Sequence, residues 1–408
     1  MKLIPYIFLS GLCSLPLHAF KLGIEALPPT LEKYRTLRIG LVTNQSGCLQ
    51  DKKRTIDLLR EKNYNLVALF APEHGLDGTI MAEKSVHDSI DAQSGLPVIS
   101  LYQGGDRTFP ITKERLDTID VIFFDIQDSG MRHYTYISTL YHLLEQDKPI
   151  VVFDRPNPLG DIMEGPLVDS THHSFISIAP IPLRHAMTIG ELALFFNSLV
   201  EKPSPDLTIV RMKEFRRSEQ LKQLITPLSP RIPRLASCFG YSFLGLFEEI
   251  AEAFKAGDTQ KPFQYLMLDA ASGVTPQHWN QVQKILHAYH VSSTPTTRNE
   301  HGITYTGLHI EIPTIAKVSS FNALVDLLSY LHAHNVHLTF KPAFETAMGT
   351  DGVCRFMHGD CDRATLALTI NEDLKKFYEK AKPYFLYKPW PRIITLYEKD
   401  YSSRQSAT

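Results

Sequence analysis

The stretch "LVALFAPEHGLDG", Leu66 to Gly78, places a carboxylate and an imidazole, Glu73 and His74, directly behind an apolar run that ends at Pro72. Carboxyl and imidazole groups can both transfer protons near neutral pH when their surroundings tune them. Polar residues also follow other apolar runs in the first half: Asn44 in "GLVTNQSG", Asp125, Gln127 and Asp128 in "DVIFFDIQDSG", and Asp154, Arg155 and Asn157 in "VVFDRPNPLG". Any one of these is an ordinary turn former. Their coincidence is the signal. Glu164 in "MEGP" and the pair Arg184 and His185 in "PIPLRHAMT" follow. A loop glutamate is most simply solvated, and a basic pair before a helix is either a surface feature or a holder of a substrate carboxylate.

These residues need elements to position them. Apolar runs bounded by turn residues predict strands over 38–44, 66–72, 96–102, 120–128, 149–156 and 207–212. Helical patterns lie between several of them, in "RTIDLLREK", "YTYISTLYHLLEQ" and "MTIGELALFFNSLV"; in the last, Thr188 and Glu191 have the spacing of a capping box. Strands alternating with helices predict a doubly wound α/β fold, a parallel sheet covered on both faces. Ligands bind such sheets beyond the carboxyl ends of the strands, where these polar residues fall. The first strand opens into "TNQSG" and not into a glycine-rich phosphate loop, so no nucleotide cofactor is expected.

At about 150 residues per domain, the 408 residues suggest two domains, with three as the alternative. From about Ser229 the texture shifts through the Pro-rich connector "PLSPRIPR". A smaller α/β (α+β) C-terminal domain is expected beyond it, with a helix over 244–257, strands at 265–269 and 306–313, and helices at 321–334 and 364–385. The boundaries are set at 20–240 and 241–408. A net charge of -2, with acids and bases intermixed, gives no footprint for nucleic acid.

Residues 1–19 carry one Lys, a short apolar run and a small residue at Ala19, which reads as a cleaved export signal and not a membrane span. A periplasmic or secreted protein is expected. Leu12 precedes Cys13 where a lipoprotein signal wants a small residue, which disfavours lipidation. Of the remaining cysteines, Cys354 and Cys361 are the nearest in sequence and could pair, with four free thiols as the alternative.

The segments "GLVTNQSG", "LVALFAPEHGL", "DVIFFDIQDSGMRHYTYIST", "VVFDRPNPLG", "MEGPLVD" and "IPLRHAMTIGELA" closely resemble the NamZ-type exo-β-N-acetylmuramidase family. The resemblance implies a Rossmann-like N-terminal domain, a smaller C-terminal domain and an active-site cleft between them. It also implies release of N-acetylmuramic acid from the non-reducing ends of peptidoglycan fragments, without metal or nucleotide. The residues falling in the family's active-site motifs are Glu73, His74, Asp125, Gln127, Arg132, Tyr134, Arg155, Asn157 and Glu164. In the second half the family's "SxGRGT" stretch corresponds to "FKAGDTQKPF", which keeps Gly257 but lacks the arginine.

Glycosidic cleavage usually uses two carboxyl groups. Glu73 and Glu164 are the expected pair, with Glu73 the general acid because a carboxyl at the mouth of an apolar strand is readily desolvated. His74 is expected to assist. Asn44, Asp125, Gln127, Arg132, Tyr134, Arg155, Asn157, Arg184 and His185 are the expected substrate contacts. Two other classes fit less well: a peptidoglycan-fragment binding protein that has lost turnover, and a metal hydrolase built on His74, Asp125, Asp128 and Asp154.

Overall fold

The computed structural model describes residues 20–104, 107–108, 111–219 and 221–399; the expected leader lies outside the described residues. Seven strands form the main sheet: β1 (Ile39–Thr43), β2 (Leu66–Ala71), β3 (Ser89–Ile90), β4 (Pro97–Ser100), β5 (Val121–Asp125), β6 (Ile150–Phe153) and β7 (Leu207–Val210). Their order is β7-β6-β5-β1-β2-β4-β3. Every neighbouring pair is parallel except β3 with β4. Each of the six expected strands forms, trimmed at its polar end, so that Asn44, Glu73, Gln127 and Arg155 fall just past the ladder.

The continuous apolar character of these strands follows from burial on both faces. Val42, Phe70, Phe124 and Val152 point into one core, which runs without a break into the second half of the chain. Leu41, Leu69, Phe123 and Phe153 point into the other. The covering helices include α1 (Thr55–Glu61), α2 (Tyr136–Leu144) and α3 (Ile189–Asn197). The capping box of α3 forms as its spacing predicts: Thr188 Oγ1 accepts from the Glu191 amide, and a Glu191 carboxylate oxygen accepts from the Thr188 amide.

The second half holds α4 (Leu235–Leu244) and a three-stranded antiparallel sheet of β8 (Tyr265–Asp269), β9 (Ser292–Glu300) and β10 (Ile303–Glu311), ordered β8-β10-β9. Helices α5 (Pro276–Ala288), α6 (Ser320–Ala333) and α7 (Pro342–Met348) accompany it. The helix expected over 244–257 does not form. The helical turns lie upstream in α4, and the segment breaks into short 3-10 turns at Phe247–Glu249 and Ala256–Asp258. Tertiary bonds override its helical pattern: Ile250 bridges to Phe340, Ala253 bridges to Leu268, and the Glu252 carboxylate accepts from the Thr339 amide and hydroxyl. Strand β9 was not expected, since its sequence "SSTPTTRNE" has no apolar alternation. It is an edge strand and can carry Pro295.

Several groups bind the two halves together. Arg132 is fully buried, and its guanidinium donates to the carbonyls of Pro166, Ile181, Ala347 and Met348, the last two at the C-terminus of α7. The C-terminal segment returns to the first half, where the Tyr387 hydroxyl donates to Asp154 and Arg392–Ile393 pairs in parallel with Ile162–Met163. Arg132→Met should leave those buried carbonyls without their donor and lower the unfolding free energy by about 3 kcal/mol or more, read by chemical denaturation; a change below about 1 kcal/mol would show that the contact is dispensable.

Candidate active site

A cleft of 540 Å³ opens beyond the carboxyl end of β2, and both halves of the chain line it. This is an ordinary volume for a small-ligand site. Pro72 ends the strand, and the chain turns at once, with the Gly75 amide donating to the Pro72 carbonyl. His74 takes the left-handed conformation, φ 72°, which is uncommon for a residue with a side chain. The turn is fixed by two bonds to Ile80: the Ile80 amide donates to the His74 carbonyl, and His74 Nδ1 lies 2.7 Å from the Ile80 carbonyl. A carbonyl can only accept, so Nδ1 carries the proton and Nε2 of the neutral ring is an acceptor.

Glu73 lines the cleft and is 7% exposed. One carboxylate oxygen accepts from the Glu83 amide at 3.0 Å, the other from the Thr135 hydroxyl at 2.6 Å. Thr135 is the N-cap residue of α2, yet its side chain makes no capping bond. It holds Glu73 instead, at the end of a helix where a carboxylate is favoured. A hydroxyl can also accept, so this bond survives protonation of Glu73 by reversing its direction.

Tyr134, Tyr241, Phe263 and Phe175 supply apolar surface beside Glu73. His133 packs against Tyr241, with ring centroids 4.7 Å apart and the planes tilted by 43°. Burial and the neighbouring Arg132 cation push its imidazole down to about 3, so it is neutral near physiological pH. On the facing wall the connector and the segment after α4 bring Ser229, Arg231, Glu248 and Glu249 to the cleft. Arg231 pairs with Glu248, whose carboxyl is pushed up by burial against the opposing pull of Arg231.

Both halves of the chain match models of one family: residues 39–236 the model described as exo-beta-N-acetylmuramidase NamZ, N-terminal, and residues 239–387 its C-terminal counterpart. The chain is 31% identical over 386 residues to the peptidoglycan beta-N-acetylmuramidase NamZ of Bacillus subtilis (strain 168), covering 90% of this chain and 91% of that one. The chain belongs to the exo-β-N-acetylmuramidase NamZ family. That makes it a member of a family of glycoside hydrolases. Its fold is similar to crystal structures of two DUF1343 family proteins from Bacteroides fragilis NCTC 9343. One has a TM-score of 0.75 at 30% identity, covering 90% of this chain and 99% of that one. The other has a TM-score of 0.69 at 26% identity, covering 92% and 100%.

Of the residues singled out from the sequence, Glu73, His74 and Tyr134 line this cleft. Gln127 and Arg155 line a separate 330 Å³ cavity beside Ser46 and the 221–228 segment. Asp125 is fully buried in a two-pronged pair with Arg155, at 2.6 and 2.8 Å. Glu164 does not share the cleft with Glu73. One of its oxygens accepts from Arg184 and the Ser320 amide, the other from the Ser319 hydroxyl. Arg184 also donates to the carbonyls of Val318, Leu159 and Ile315, and Arg132 is engaged as described above. Asn157 closes a turn by accepting from the Leu159 amide and donating to the Met187 carbonyl, and Asn44 accepts from Ser46. His185 Nε2 lies 3.3 Å from Asp128 Oδ2, buried away from the cleft.

Asp154 accepts from Thr188, Tyr387 and the Gly190 amide, so His74, Asp125, Asp128 and Asp154 each have their own surroundings and form no common cluster. The thiols of Cys48, Cys238, Cys354 and Cys361 are free, which is the second of the two arrangements that the sequence left open. Sequence reasoning missed Thr135, His133, Tyr241 and the Arg231–Glu248 pair. For Thr135, the available signal was its place at the head of a helix beside Tyr134.

Neither ring nitrogen of His133 has a hydrogen-bond partner, so its replacement breaks no polar contact. Its folded value lies below the ordinary 6.5 of an unfolded histidine, so the unfolded chain takes up the extra proton. Stability therefore falls as pH drops from about 6.5 toward 3, by up to about 1.4 kcal/mol per unit from this group. His133→Phe is expected to flatten that part of the stability profile in denaturation between pH 7 and 4; an unchanged slope would show that His133 titrates normally.

Proposed function

We propose that the protein is an exo-acting glycoside hydrolase that releases N-acetylmuramic acid from the non-reducing ends of peptidoglycan fragments, with Glu73 as its acid and base. Family membership supports the reaction class. The observation that carries the residue assignment is the Glu73–Thr135 bond inside the cleft. A group that must give up and regain a proton in one cycle needs surroundings that tolerate both states, and a hydroxyl that can reverse its bond provides them. The fixed Glu83 amide holds the other oxygen and keeps the carboxyl aimed during the exchange.

The proton from Glu73 goes to the glycosidic oxygen as the bond to the anomeric carbon breaks, and the ionised carboxylate then takes a proton from the attacking water. His74, with Nε2 as acceptor, orients a sugar hydroxyl beside it. The second carboxyl comes, in this reading, from the facing wall. Glu248 is tied to Arg231 and to the Gly257 amide, and Glu83 stands exposed at the rim. Glu249, half-buried in the cleft, is the remaining acid among the described lining residues. Glu164 has the structural place of holding Arg184 and the start of α6. The sequence pattern of residues 1–19 supports export, so the substrate is met outside the cytoplasm.

The purified mature protein is expected to release free N-acetylmuramic acid from a disaccharide that carries it at the non-reducing end. Glu73→Gln should lower kcat by about 10²- to 10⁴-fold with an unchanged melting temperature. Thr135→Val should lower it by about tenfold. Binding of such fragments without turnover by the wild type would sink the hydrolase reading.

A further inference from the structure

Among its described lining residues the cleft has four acids, Glu73, Glu83, Glu248 and Glu249, and one guanidinium, Arg231. N-acetylmuramic acid differs from N-acetylglucosamine by a lactyl ether that ends in a carboxylate. An anionic sugar entering an acid-lined cleft must meet a cation, or the repulsion excludes it.

Arg184 and His185, the basic pair that the sequence offered for this task, are buried elsewhere. Arg231 has the required placement. It comes from the Pro-rich connector and is held on three sides. Nη2 donates to Glu248, the guanidinium lies over the Phe263 ring at 5.2 Å, and it packs so closely on Gly257 that a Cβ there would collide with it. Its side chain keeps 26% exposure, on the cleft. A guanidinium fixed in this way is preorganised for a carboxylate, since its five donors form a rigid fork.

Resting on the hydrolase reading above, we propose that Arg231 is the specificity-determining residue of the cleft and binds the lactyl carboxylate of the terminal muramic acid. Glu248 and Phe263 position its fork, and Gly257 provides the space for it. Arg231 takes no part in proton transfer. It selects for the acidic sugar over its uncharged parent.

The test is titration calorimetry of the full mature chain with N-acetylmuramic acid and with N-acetylglucosamine. The wild type is expected to prefer the acidic sugar. Arg231→Gln should weaken binding of that sugar by about 10- to 100-fold and leave the uncharged sugar's binding unchanged. Arg231→Lys, which keeps the charge but not the fork, should retain part of the preference. If Arg231→Gln alone unfolds because Glu248 is left buried without its partner, the double variant Arg231→Gln/Glu248→Gln replaces it.

On the disaccharide substrate the change should fall in KM and not in kcat. Equal weakening for both sugars, a preference that survives in the folded variant, or no preference in the wild type would each overturn the assignment. A wild type that prefers the acidic sugar but never cleaves the disaccharide would overturn the hydrolase reading and leave Arg231 in its role.

Discussion

The pair between Asp125 and Arg155 fixes the centre of the molecule. Both side chains are buried at the carboxyl edge of the sheet, where an unpaired charge would be very costly. Asp125 ends β5, Arg155 follows β6, and Arg155 reaches on to the Cys48 carbonyl beyond β1. Thr55, at the start of α1, donates to the same Asp125. One buried pair therefore sets the spacing of three strand ends and a helix.

The same requirement recurs outward from that centre. Glu164 is satisfied by Arg184, and Glu191 by Arg217, which also donates to the Ala186 carbonyl. Asp154 is pushed up to about 7 by burial and by Glu191, against the lowering effect of its hydrogen bond from Tyr387. Because these groups satisfy one another, they form scaffold. Glu73 and His74 differ because the loop after β2 turns away from the central strands and meets the second half of the chain across open space.

That second half does more than close the cleft. The connector, which resembles a linker in sequence, is held by Gln45 and Tyr136, both donating to the Leu228 carbonyl. This anchoring brings Ser229 and Arg231 to the cleft wall. The cleft is thus composite, with Glu73 and its hydroxyl partner Thr135 on the first half, and the only arginine among the described lining residues on the connector. The two parts are held in register by Arg132 and by the return of the C-terminal segment to Asp154 and Glu191.

The sequence by itself determined six of the seven strands of the main sheet, the burial of its central strands on both faces, the capping box of α3 and the gathering of polar residues at one edge. Each of these follows from local periodicity and spacing, which a chain carries wherever it is placed. Glu73 and His74 were legible for the same reason, as reactive types at a strand end. Which polar residues would face each other was decided only by the tertiary structure. Asp125, Arg155, Glu164 and Arg184 carry the same functional groups as a catalytic site, and nothing in their spacing says that burial would pair them off. The helix expected over 244–257 failed likewise, because its backbone and Glu252 found bonds with Phe340, Leu268 and Thr339, far away in the chain. Arg231 was hidden in a proline-rich stretch for the complementary reason: its partners Glu248, Gly257 and Phe263 become neighbours only when the second half folds against the first.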